Sequence, residues 1–323
     1  MLKTPPQIVQ VQSEADQIAL YVRLWPIEEA KGWVHIMHGM SEHGGRYDHV
    51  ATELNNAGFN VSADDHRGHG LTGKETDSLG HLANHNGWGK LVSDQADIIT
   101  YLQKQWPQPL IILGHSMGSF LATKVVQRYA NKLSNQLQGV VLSASNYSAP
   151  WFYRIACVAA MFERWRHGSL AQSKLLQQLS FGSFNNNFKP VRTPKDYISS
   201  DPKVVDEYLA DPLAGHGISN QFWVDFLDGL SDLSEPESMA QIRNELPIYL
   251  FAGDKDPVGK QGRGVIALQK ALQRAGSQMV ECCLYKNGRH EMLNEINKQQ
   301  VLNDLLVWLQ QCLQEPSLKT VKD

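Results

Sequence analysis

The stretch Leu110-Ile111-Ile112-Leu113-Gly114-His115-Ser116-Met117-Gly118-Ser119-Phe120 decides the fold. Its apolar start reads as a buried strand, and residues 120–129 are patterned as an amphipathic helix. Between them Ser116 is bracketed by Gly114 and Gly118, the G-x-S-x-G arrangement of a strand-to-helix turn. Small residues on both sides let the backbone take that turn without clashes. The turn pushes the serine oxygen out of the sheet. The next amide, that of Met117, faces the same point from a helix N-terminus, so a nucleophile and one oxyanion donor arise together.

Outward from this turn, strands and helices alternate. Residues 18–25, 33–37, 59–63, 140–142, 247–252 and 279–285 read as strands. Residues 47–57 have helical spacing and stop at Gly58, and 88–106 form a long helical pattern closed by Pro107. Further helices are expected up to about residue 132, over 265–275 and over 300–313. Such alternation predicts an α/β fold with a mostly parallel central sheet flanked by helices. Residues 146–240 are too many for a simple crossover. They are helix-like, aromatic and rich in turn signals such as Asn185-Asn186-Asn187. We read 1–145 and 241–323 as the core and 146–240 as an inserted helical cap over the C-terminal edge of the sheet, where open α/β folds bind ligands.

With 323 residues, 42% apolar and 20% charged, the chain suits one large domain carrying a substantial insertion. A net charge of −3 and scattered basic residues give no electrostatic case for nucleic acid, and no nucleic-acid partner is expected. Four cysteines are too few for a disulfide scaffold, and adjacent Cys282 and Cys283 would point to opposite faces of a strand. Residues 1–12 contain Pro5 and Pro6 and no apolar core of a signal peptide, and no stretch has the length of a membrane span. The expectation is a reduced, cytoplasmic protein.

A serine hydroxyl is a weak nucleophile that needs a neutral histidine to take its proton. The histidine in turn needs a carboxylate to fix its tautomer. In sheets of this kind the order along the chain is serine, acid, histidine, on loops after successive strands. Asp254 and Asp256 follow the strand at 247–252, and His290 follows the strand at 279–285. Both aspartates share one turn. Asp256, further from the strand, is favoured for reaching the histidine loop, with Asp254 bracing that loop. A second oxyanion donor should come from the loop after the strand at 33–37, where His38-Gly39-Met40 makes the Met40 amide the candidate beside Met117. Gly39 and His115 are expected to border the substrate.

The segments His38-Gly39-Met40-Ser41-Glu42-His43-Gly44-Gly45-Arg46-Tyr47, Asp65-His66-Arg67-Gly68-His69-Gly70 and Gly114-His115-Ser116-Met117-Gly118 extend the pattern. So do Arg192-Thr193-Pro194-Lys195-Asp196-Tyr197, Asp211-Pro212-Leu213, Asp256-Pro257-Val258 and Gly288-Arg289-His290-Glu291-Met292-Leu293-Asn294-Glu295. Together they resemble the monoacylglycerol lipase and bacterial lysophospholipase-like branch of the α/β-hydrolases, over about residues 10–314. The resemblance implies an α/β-hydrolase fold and a triad of Ser116, Asp256 and His290. It also implies an oxyanion hole of the Met40 and Met117 amides, with no metal and no cofactor. It supports Asp256 over Asp254. The implied substrate is a small-molecule or lipid ester, a monoacylglycerol or lysophospholipid. General carboxylesterases, aminopeptidases and acyltransferases share the same triad. Ser119 stands where a third glycine is frequent, and Thr72 where a serine often follows the H-G motif.

Other residues invite other chemistry. His81 and His85 are spaced i, i+4, but Gly80, Asn84, Asn86 and Gly87 argue against a helix there and no third metal ligand is in view. Asp64-Asp65 lacks an accompanying phosphate loop and reads as structural. Glu291, next to His290, is not placed to act as its acid. In the cap, Trp151, Ile155, Val158, Phe162 and Trp165 fall at helical spacing. That face is expected to pack inward and line the substrate through Trp151, Ile155 and Phe162. The second reading is transient contact with a membrane surface, which would place the protein peripherally.

Overall fold

The computed structural model describes residues 5–133 and 136–314, so the first four positions of the N-terminal stretch read for a leader lie outside the described residues. Eight strands form one sheet: β1 Gln7–Gln12, β2 Ala19–Trp25, β3 Gly32–Met37, β4 Phe59–Asp64, β5 Leu110–His115, β6 Leu137–Ser143, β7 Ile248–Gly253 and β8 Val280–Tyr285. Their spatial order is β1-β2-β4-β3-β5-β6-β7-β8. β2 runs antiparallel to β1 and β4, and every other pairing is parallel. The α/β reading therefore agrees with the observed sheet. The strand β1 was not anticipated. Its alternating Gln-Ile-Val-Gln-Val-Gln is mostly exposed, as an edge strand is, and lacks the continuous apolar signal of the inner strands.

Every residue of β3, β4, β5 and β7 is buried. Helices cover both faces, so side chains that alternate along one strand enter two different cores. Leu110 and Ile112 join Trp33, Val140 and Leu250 on one face, while Ile111 and Leu113 join Val34, Val141 and Phe251 on the other. Burying each such Leu or Ile contributes roughly 2 kcal/mol. Four helices precede β6 along the chain: α1 Asp48–Asn56, α2 Gly70–Glu75, α3 Gly87–Gln103 and α4 Met117–Leu133. Five lie between β6 and β7: α5 Pro150–His167, α6 Lys174–Phe181, α7 Pro202–Ala210, α8 Asn220–Leu233 and α9 Pro236–Met239. α10 Arg263–Arg274 lies between β7 and β8, and α11 Lys298–Gln314 follows β8. α1 and α11 supply the second core, and α3, α4, α8 and α10 the first.

The register brings the functional loops to one edge. Met37 pairs with Gly114, His115 with Ser143, and Gly253 with Tyr285, so the loops after β3, β5, β6, β7 and β8 leave the sheet side by side. The helical insertion α5–α9 leaves from that same edge.

Candidate active site

Ser116 sits between β5 and α4 with a φ of 51°, in the left-handed region. A non-glycine residue there costs of order 1–3 kcal/mol, which the surroundings must offset. Ser116 N donates to Ser143 O at 2.9 Å, and Ser119 Oγ donates back to Ser116 O at 2.6 Å. The second bond gives the serine at 119, where a glycine is frequent, a local role. The flanking glycines are needed for space. A Cβ on Gly118 would lie 2.0 Å from Met37 O, and one on Gly114 2.2 Å from Gly118 O.

His290 Nε2 lies 3.0 Å from Ser116 Oγ, and His290 Nδ1 lies 3.0 Å from Asp256 Oδ2. Asp256 is fully buried, and its other oxygen accepts from Val258 N at 2.9 Å. Asp254 instead accepts from Asn287 N at 2.7 Å, across to the turn after β8. Of the two aspartates, Asp256 is the one in contact with the imidazole. Burial pushes the His290 pKa down most strongly, but the charge and hydrogen bond of Asp256 act against it, and the result is a rise above 6.5. Nδ1–H donated to the carboxylate leaves Nε2 free to accept a proton from the serine.

Met40 and Met117 border the cavity above Ser116 with Gly39 and His115. Met117 is the first residue of α4, so its N–H has no intrahelical acceptor. The loop carrying Met40 is held from within. Gly39 N donates to Glu42 Oε1 at 2.5 Å, as does the Tyr47 hydroxyl at 3.0 Å. Arg46 Nη1 donates to Glu42 Oε2 at 2.6 Å and to Glu291 Oε1 at 2.7 Å, and Nη2 donates to Glu291 Oε2 at 2.8 Å. Glu291 thus turns away from His290. Its burial would raise its pKa, but the Arg46 charge holds it down at about 2. The roles of Glu42 and Arg46 were missed from sequence, although both stand in the motif that carries the resemblance. Their i, i+4 spacing is the signal that could have marked them.

His115 donates to or accepts from Ser143 Oγ at 3.1 Å, and its ring lies 5.0 Å from that of His290. Burial, then the neighbouring His290 charge, lowers its pKa to about 4, so it is neutral at physiological pH. Asp65 accepts from Gly44 N and Leu71 N and pairs with Arg23, while Asp64 pairs with His66. Both aspartates brace the turn after β4. His81 binds Ser219 and Asn84 in a non-helical loop before α3.

A cavity of about 390 Å³ lies over Ser116. Phe120, Phe152, Phe181, Tyr197, Trp223 and Phe226 give it an apolar wall, most of it from the insertion. The expected wall of α5 requires a correction. Trp151, Ile155 and Phe162 are 62%, 65% and 53% exposed and do not border the cavity. The face of α5 that packs carries Tyr153, Cys157 and Ala160. Small residues there let α8 approach closely, as in the contact of Cys157 Sγ with Val224 O at 3.7 Å, so the bulky stripe is turned outward. Only Phe152 and Tyr153 of this helix reach the cavity.

A mostly parallel sheet with a serine on a strained strand-to-helix turn and a histidine and an acid on later loops defines an α/β-hydrolase. The family described as "Serine aminopeptidase, S33" matches residues 28–297, and the chain belongs to it. The monoacylglycerol lipase of Mycolicibacterium smegmatis is 30% identical over 286 residues, covering 88% of this chain and 90% of that one. The monoglyceride lipase of Rattus norvegicus is 26% identical, covering 91% and 88%. Among solved structures, a thermostable carboxyl esterase from Bacillus coagulans, in complex with glycerol, superposes with a TM-score of 0.87 at 26% identity, covering 96% of this chain and 99% of that one. Within the family, these relatives place the chain in the monoacylglycerol lipase-like branch.

Proposed function

We propose that this chain hydrolyses carboxylic esters of single-chain lipids, monoacylglycerols or lysophospholipids, through an acyl-enzyme on Ser116. The observation that carries the reading is the unbroken line Ser116 Oγ, His290, Asp256, with both contacts at 3.0 Å, at the floor of an apolar cavity. His290 Nε2 takes the serine proton as Oγ attacks the ester carbonyl, and Asp256 keeps the ring oriented. The Met40 and Met117 amides hold the oxyanion. His290 then gives its proton to the departing alcohol and next activates water to release the fatty acid. Gly39 and His115 border the reacting ester, and residues 146–240 act as the cap that shapes the acyl site.

The outward stripe of α5 supports a second element of this reading. Trp151, Ile155, Val158, Phe162 and Trp165 fall at helical spacing on one exposed apolar stripe of α5, with Trp165 79% exposed. Patches of this kind on a helix mark contact with a lipid surface. We assign that face to transient membrane contact from the cytoplasmic side. Among the described residues, no helix is long and apolar enough to cross a membrane. Cys157, Cys282 and Cys283 are free, in keeping with a reducing compartment. Fluorophosphonate labelling mapped to the Ser116 peptide, with turnover of a panel of monoacylglycerols, lysophospholipids, short nitrophenyl esters and aminoacyl amides, tests the function. Label elsewhere, or cleavage of the amides alone, contradicts it.

A further inference from the structure

The cavity over Ser116 shares Met40, Phe181, Tyr197 and Tyr208 with a second cavity of about 700 Å³. The two differ in charge. Glu42, Glu291 and Lys260 border the first, whereas the second is bordered by Lys174 and Lys195 and by no aspartate or glutamate. Gln172 and Gln177 add amide donors to its wall.

Lys195 is the unusual group. Its Nζ lies 5.5 Å from the Phe181 ring, 5.9 Å from Tyr197 and 5.5 Å from Tyr208. Aromatic faces attract a cation but do not replace a counter-ion. Among the described residues no carboxylate pairs with it. Arg46, on the same Tyr208 ring at 4.9 Å, shows the contrast, because Glu42 and Glu291 match its charge. Burial pulls the Lys195 pKa down, with Glu291 acting weakly against it. Lys195 is partly buried with no carboxylate beside it, so an incoming anion gains a charge-assisted partner there.

The position of the group matters as much as its charge. The Tyr197 ring neighbours both the Lys195 ammonium and the His290 ring, 5.9 Å from one and 6.2 Å from the other. His290 is the group that hands a proton to the departing alcohol, and the Tyr197 ring beside it borders both cavities.

We infer that the second cavity receives the head group of the departing alcohol and that Lys195 selects a phosphate-bearing one, favouring single-chain glycerophospholipids over neutral monoacylglycerols. The inference rests on the proposed role of Ser116. The reaction itself is unchanged. The acyl C–O bond breaks, His290 protonates the departing glycerol oxygen, water supplies the acid oxygen, and the phosphate keeps its charge throughout.

The test compares 1-acylglycerol 3-phosphate with the 1-acylglycerol of the same chain, both as monomers, on wild type, Lys195→Met and Lys195→Arg. The ratio of kcat/KM, phosphate ester over neutral ester, should fall at least about tenfold in Lys195→Met, through KM, and be largely restored in Lys195→Arg. In wild type, glycerol 3-phosphate should inhibit at lower concentration than either glycerol or inorganic phosphate, which separates a lipid head group from free phosphate. An unchanged ratio in Lys195→Met, or glycerol 3-phosphate no better than glycerol, overturns the inference while ester hydrolysis stands. Should Lys195→Met not fold, the inhibition series on wild type decides alone. Absence of both ester turnover and fluorophosphonate labelling in wild type overturns the reading beneath it.

Discussion

Arg46 grips both carboxylate oxygens of Glu291, at 2.7 and 2.8 Å, and so ties the loop that follows β3 to the loop that carries His290. The same guanidinium holds Glu42, which accepts from Gly39 N. One buried cation therefore sets the distance between the proposed oxyanion amide of Met40 and the proposed base. Removing one partner of such a group leaves an uncompensated buried charge, at a cost of about 3–5 kcal/mol. Arg46→Met should lower the unfolding free energy by that order in denaturant titration. In whatever protein remains folded, kcat should fall more than KM rises.

The same pair makes stability depend on acid. The pKa of Glu291 is held at about 2 against an ordinary 4.5, so its contribution is complete above pH 4.5 and disappears as pH falls through about 2. A shift of that size is on the order of 3 kcal/mol. Denaturant curves between pH 6 and 3 should show Glu291→Gln losing less stability on acidification than wild type does. Parallel losses would detach Glu291 from the acid response.

Activity should fall in acid for a different reason. His290 must be neutral to take the serine proton, and Asp256 raises its pKa above 6.5. The acid limb of kcat/KM should therefore lie above pH 6.5. By linkage, the stability conferred by the raised pKa is full below pH 6.5 and is lost as pH rises through the folded value. Asp256→Asn should cut the rate on the order of 10⁴-fold and move the residual limb downward, because burial then acts unopposed. A limb that stays in place in the variant would remove Asp256 from contact with the base.

Gly118→Ala should fail to fold normally, since the added methyl would meet Met37 O at 2.0 Å. Overpacking against a central strand has nowhere to relax, and a loss of about 3 kcal/mol or more is expected. A variant with unaltered melting would show that the turn has slack.

The exposed stripe of α5 should carry binding to lipid. Wild type is expected to co-sediment with liposomes, and Ile155→Glu with Trp165→Ser to reduce the bound fraction severalfold while short soluble esters are still cleaved. Absence of co-sedimentation at both low and moderate salt would remove the membrane role.

Much of this architecture was readable from the chain because the inner strands are continuous apolar runs and the turns at Gly58 and at 114–118 have strong local chemistry. The contact of Asp256 rather than Asp254 with His290 matches the favoured reading, and the resemblance pointed the same way. Two things escaped. The edge strand β1 pairs only on one side and carries a weak pattern. The orientation of α5 depends on which face is small enough to meet α8, and both faces hold apolar residues, so periodicity alone chose the wrong one. Lys195 and its ring of aromatics come together from α6, the loop after it and α7, a convergence that no local spacing records.

The role of Ser116 is tested by the turnover of a soluble monoacylglycerol by wild type and by Ser116→Ala, with melting curves of both. Unfolding should be superimposable, wild type should release fatty acid, and turnover should fall in the variant by on the order of 10⁶-fold. Appreciable ester hydrolysis by folded Ser116→Ala would contradict that role.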